Sequence, residues 1–161
     1  MDVYDGIERL VRDGTIDISR WFLDAGGGDG RVGILTSGIF GVPSIVVECD
    51  DELVQIASEA QRELRSTGVL GNTPLLIVQG DFMEDSTYAK VGLRFEDIGT
   101  IFNFWDNYKD LAQKISRQSP DGTSFLLEGW LKRDFNDLTF LRKIKIGVLD
   151  SCGEYLYVYR K

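Results

Sequence analysis

Residues 21–33 read WFLDAGGGDGRVG, an apolar run closed by an acid and followed by five glycines within thirteen positions. A glycine-rich loop between a strand and a helix leaves backbone N–H groups free and lets a nucleotide-like ligand approach closely. Two registers overlap in it. Gly28, Gly30 and Gly33 spell G-x-G-x-x-G, the dinucleotide pattern, whereas Asp24, Gly26, Gly28 and Gly30 spell D-x-G-x-G-x-G, which sets a carboxylate at the head of the loop. Further on come Glu48 beside Cys49, Asp81 beside Phe82, and the run FNFWDNYKD, whose Asn103, Trp105 and Asp106 are the candidate catalytic residues. Histidine is absent, so no histidine base, Ser-His-Asp triad or histidine metal site can be built. Chemistry here must use carboxylates, amides, hydroxyls, thiols or a reactive cofactor.

The elements that would position these residues alternate. Asp2–Asp13 sets Val3, Ile7, Leu10 and Val11 on one helical stripe, with Asp2 able to cap it and Gly14 to end it. Strands are predicted at WFLDA (21–25), SIVVECD (44–50), LLIVQGD (75–81), IGTIFNF (98–104) and TSFLLEG (123–129). Helices are predicted over 31–40, over 51–68 with Leu53, Ile56, Ala57, Ala60 and Leu64 as its apolar face, and over 107–119. Residues 83–93 read as irregular or briefly helical. The end changes rhythm: LRKIKIGVL (141–149), the turn DSCGE, then YLYVYRK (155–161) alternate as a β-hairpin. The tyrosines 155, 157 and 159 are expected to pack against a helix. The fold class that follows is α/β: a doubly wound, mostly parallel seven-stranded sheet with helices on both faces and a C-terminal antiparallel hairpin.

Composition agrees with one globular unit of 161 residues, 43% of them hydrophobic and 11% aromatic. The net charge of −8 disfavours a phosphate backbone as partner and favours basic proteins, amines or neutral molecules, without excluding RNA through a local basic patch. No apolar run is long enough for a membrane span, and the acidic N-terminus does not read as a signal peptide, so a cytoplasmic location is expected. Cys49 and Cys152 sit in no CxxC spacing and are expected to be reduced thiols.

The two loop registers can now be weighed. Starting the loop at Asp24 and Gly26 lets WFLDA finish cleanly as a strand and gives the acid a use at the sheet's ligand-binding edge. A pyrophosphate would be repelled by that acid, whereas a cationic ligand would be drawn to it. Glu48, about 20 residues on, suits ribose hydroxyls in either register. Taken together, DAGGGDG, VVECD, VQGDF and the final hairpin resemble the class I S-adenosylmethionine-dependent methyltransferases over residues 20–161. The resemblance implies S-adenosyl-L-methionine as cofactor, with S-adenosyl-L-homocysteine as product. It also implies Asp24 and Gly26 by the methionine moiety, Glu48 on the ribose, Asp81 and Phe82 on the adenine, and strand order 3-2-1-4-5-7-6. Gly28, Gly30 and Cys49 complete the expected lining. The whole of 1–161 would then be a single methyltransferase domain, with 1–19 its N-terminal helix and lead-in.

The acceptor is less legible. The Asn-Pro-Pro-aromatic signature of many base and glutamine N-methyltransferases is missing, since Asn103 is followed by Phe104, Trp105 and Asp106. The compact layout resembles the small archaeal non-SET protein-lysine methyltransferases, which implies a protein lysine as acceptor. A small molecule, an RNA, or a degenerate cofactor-binding subunit remain as alternatives. For a lysine, only about one side chain in 2,500 is neutral at pH 7, so the site must supply a desolvated, aromatic channel. Phe102, Phe104, Trp105 and Trp130 are candidates for it, and Asp106 or Glu128 for steering the cation or taking its proton.

Overall fold

The computed structural model describes residues 2–146 and 154–161; the end of the predicted 141–149 strand, most of the DSCGE turn and Cys152 lie outside them. Seven strands form one sheet: β1 (Trp21–Ala25), β2 (Ser44–Glu48), β3 (Leu75–Gln79), β4 (Ile98–Phe104), β5 (Ser124–Gly129), β6 (Thr139–Lys145) and β7 (Tyr155–Arg160). Their order is β3-β2-β1-β4-β5-β7-β6. The first five strands are parallel, and β7 runs antiparallel to both β5 and β6. The order therefore reverses between β1 and β4. At such a switch point the loops leaving neighbouring strands diverge and open a crevice over the strand ends.

Helices α1 (Val3–Arg12), α2 (Arg31–Phe40) and α3 (Asp51–Ser66) cover one face, and α4 (Asp85–Ala89) and α5 (Tyr108–Gln118) the other. The sequence accounts for α1 in detail. The Asp2 carboxylate accepts from the amides of Tyr4 and Asp5, and the Asp5 carboxylate accepts from Asp2 N in return. Such a reciprocal cap contributes about 1 kcal/mol. Ile7 and Leu10 are then fully buried against Phe22, Leu126, Leu156 and Val158. On α3 the stripe is Ala57, Ala60 and Leu64, and Ile56 is 51% exposed instead of joining it. One residue is about 100° of turn on a helix, so Ile56 cannot share a buried line with Ala57.

The terminal tyrosines also differ from expectation. Tyr157 and Tyr159 are buried, but Tyr159 packs edge-on to Phe135, 5.0 Å between ring centres, in the connection between β5 and β6. Its hydroxyl accepts from Arg133 N (3.1 Å) and donates to Arg133 O (2.7 Å). Buried tyrosines keep a polar end that needs partners, and here a loop backbone supplies them. The hairpin thus serves as an anchor for the connection that carries Trp130, Arg133 and Phe135.

Candidate functional site

The glycine loop leaves β1 while still attached to the sheet: Gly26 N and Gly27 N both donate to Val47 O. Gly26, Gly28 and Gly30 have φ of 72°, 56° and 77°, which explains why three alternate positions must be glycine. Gly27 and Gly33 answer to space instead. A Cβ on either would stand 2.5 Å from a Val46 methyl, so loop and helix α2 lie directly on β2. Gly30 caps the start of α2 and is buried next to Ala57.

Each predicted acid has a defined place. Asp24 is 2% exposed, and its Oδ2 accepts from Gly33 N at 2.9 Å. Burial pushes its carboxyl up to about 7, against the pull of that hydrogen bond. Glu48 Oε2 accepts from Gly28 N (2.9 Å), and Oε1 accepts from the amides of Cys49 (2.8 Å) and Asp50 (3.0 Å). Burial opposes ionisation of Glu48, but these donors outweigh it and hold the carboxyl below its ordinary range. The two neighbouring acids are therefore pushed in opposite directions. Asp81 Oδ1 accepts from Met83 N (2.7 Å), and Phe82 is fixed by Tyr88, whose hydroxyl donates to Phe82 O (2.6 Å).

Two clefts meet at Gly26 on the C-terminal edge of the sheet. One, of about 590 Å³, brings together Gly26, Glu48, Cys49, Asp81, Phe82 and Asp106. The other, of about 580 Å³, holds Asp24, Gly28, Arg31, Phe102, Glu128 and, from α1, Tyr4. Beside the second lies a small cavity of about 70 Å³ walled by Phe104, Trp105, Gly129 and Trp130, with Glu128 and Glu154 at its acidic side. Burial, with the charge of Glu154 added, pushes Glu128 up to about 7. Phe104 and Trp130 are each 57% exposed at this mouth.

The predicted cofactor residues are thus gathered around one crevice, with Gly30 behind it. The predicted catalytic residues are not gathered. Asn103 is fully buried, and its Nδ2 donates to Ala25 O (3.0 Å), tying β4 to β1 below the crevice. Asp106 faces the Glu48 cleft. Trp105 turns the other way, onto the end of β5: a Cβ at Gly129 would lie 2.3 Å from its ring. Trp105 has φ of 62° and Asn107 of 44°, conformations that cost side-chain-bearing residues roughly 1–3 kcal/mol each. Sequence reasoning missed Tyr4, Arg31, Asn107 and Glu154. Tyr4 carried a signal, since the polar side of a capped helix ahead of the glycine loop faces that loop. The others carried none.

No family model matches the sequence, and no curated protein matches it. Solved structures do match. An RNA methyltransferase from Salinibacter ruber in complex with S-adenosyl-L-homocysteine aligns with TM-score 0.70 at 19% identity, over 97% of this chain and 90% of that one. An rRNA methylase from Streptococcus thermophilus gives 0.67 at 11% identity, over 100% and 96%. A variant of MtNAS in complex with S-adenosylmethionine gives 0.67 at 14%, over 98% of this chain but 61% of that one. At these identities the likeness is one of fold. This chain has the Rossmann-like fold of the first two, and its own sheet ends in antiparallel strands.

Proposed function

We propose that this protein is an S-adenosylmethionine-dependent methyltransferase whose acceptor is a protein lysine. The observation that carries the first part is the cradle itself, in which an ionised Glu48 and a proton-retaining Asp24 flank a loop packed too tightly for any Cβ at Gly27. These residues fit the cofactor: Glu48 still has lone pairs for ribose hydroxyls, Asp81 and Phe82 offer an acceptor and a flat apolar ring for adenine, and Asp24 suits a cationic methionine end. When bound, the cofactor supplies a methyl group activated on a sulfonium.

The chain's own task is alignment and proton management. Phe104, Trp105 and Trp130 form a narrow apolar wall that suits an aliphatic stem and disfavours the charged form of an amine within it. Glu128 and Glu154 draw the cationic lysine to the mouth. Glu128, already strained towards protonation, takes the ammonium proton and leaves a lone pair on nitrogen. That lone pair would then be free for the methyl group that the bound cofactor would supply.

The RNA reading has the Salinibacter and Streptococcus neighbours in its favour, but this acidic mouth and the net charge of −8 oppose it. Methyl-labelled donor, offered in parallel with a lysine-rich basic protein and with total RNA, distinguishes the two. After hydrolysis the label is expected as methyl-lysine; label in nucleosides would overturn the acceptor assignment.

A further inference from the structure

Arg133 is a cation held against aromatic rings. Among the described residues no carboxylate pairs with it, and its Nε is buried without a partner. Its guanidinium instead stands 4.6 Å from the centre of the Trp105 ring and 5.5 Å from that of Tyr108. Tyr159 holds the Arg133 backbone by both N and O, so the guanidinium is presented from a fixed point on β7. Trp105 meanwhile sits in a left-handed backbone conformation that its own chemistry resists, with its ring against the bare backbone of Gly129 and 5.2 Å from Tyr108. A planar guanidinium over an indole face is attractive, and a lysine ammonium does not reproduce its flat stacking.

We propose that Arg133 is a positioning residue for the methyl acceptor: stacked on Trp105, it fixes the indole as a wall of the cavity formed with Phe104, Glu128 and Trp130. This rests on the reading of that cavity as the acceptor pocket. Arg133 reaches the acceptor only through Trp105 and lines neither of the two larger clefts. Its loss should therefore disturb acceptor capture and leave the cofactor cradle alone.

The test uses the full chain and two variants, Arg133→Met, which keeps length without charge or fork, and Arg133→Lys. The Trp105 contribution to fluorescence is isolated by subtracting the spectrum of Trp105→Phe. In Arg133→Met that contribution is expected to shift and become more open to a neutral quencher, and KM for a lysine-bearing peptide to rise about tenfold. S-adenosylhomocysteine affinity is expected to stay within about twofold of the unaltered protein. Arg133→Lys should recover part of the KM and little of the emission change. Unchanged Trp105 emission in Arg133→Met overturns the clamp, whatever the reaction proves to be. So does a parallel fall in melting temperature, cofactor affinity and turnover, which marks a merely structural role. Failure of the unaltered protein to bind S-adenosylhomocysteine counts against the cofactor reading instead, and the emission measurement stands apart from it.

Discussion

Asp24 and Glu48 show how one crevice sets two carboxylates to different tasks. Glu48 gathers three backbone donors and stays ionised, while Asp24 has one donor and is buried. The consequence for Asp24 has a definite sign. An unfolded aspartate loses its proton near pH 3.9, whereas the folded one keeps it to about 7. Its contribution to stability is therefore fullest below about pH 4 and is lost as pH rises through 7. Asp24→Asn keeps an acceptor for Gly33 N and should flatten the fall of the melting temperature between about pH 4 and 7. A cationic ligand group favours the ionised carboxylate, so cofactor affinity should tighten as pH rises towards 7 in the unaltered protein. In Asp24→Asn affinity should be weaker and independent of pH. Melting curves and titrations at pH 5.5, 6.5 and 7.5 read both effects, and an unaltered slope in the variant would remove Asp24 from the cofactor site.

At the scale of elements, much was legible because period and punctuation agreed. Strands β1 and β4 have the expected bounds, and Asp2, Gly30 and Asp50 sit at the starts of their helices. The residues gathered at the Gly26 crevice were legible for the same reason, since each ends or closely follows a strand that periodicity locates. The surroundings of Trp105 were not. Arg133 meets Trp105 and Tyr108 across a connection without regular structure, and no spacing announces a cation that stacks instead of pairing. Ile56 fails for a related reason, because hydrophobicity marked it and geometry turned it outward. The glycine loop gives a stricter test of packing. Gly27→Ala places a methyl 2.5 Å from Val46 Cγ1 and 3.0 Å from the Asp24 carboxyl carbon. Overpacking of this kind costs about 1–3 kcal/mol, read as a lowered urea midpoint. Gly27→Ala with Val46→Ala should recover part of the loss, whereas additive losses would place the strain elsewhere.

For the whole molecule, the strand order carries the argument. The reversal at β1 opens a crevice in any doubly wound sheet, and a dinucleotide could occupy one as readily as a methyl donor. What separates them here is the acid at the head of the loop and the antiparallel end of the sheet, in a chain whose fold is that of the methyltransferase neighbours. Among the described residues no helix is long and apolar enough to cross a membrane. The most direct test is calorimetric titration of the purified protein with S-adenosylhomocysteine and, in parallel, with NAD. Binding of S-adenosylhomocysteine with a Kd of about 1–10 μM, near −7 to −8 kcal/mol, and no heat from NAD is the predicted result. Binding of NAD in its place, or of neither ligand, would contradict the assignment of the Asp24–Gly30 loop as a methyl-donor cradle.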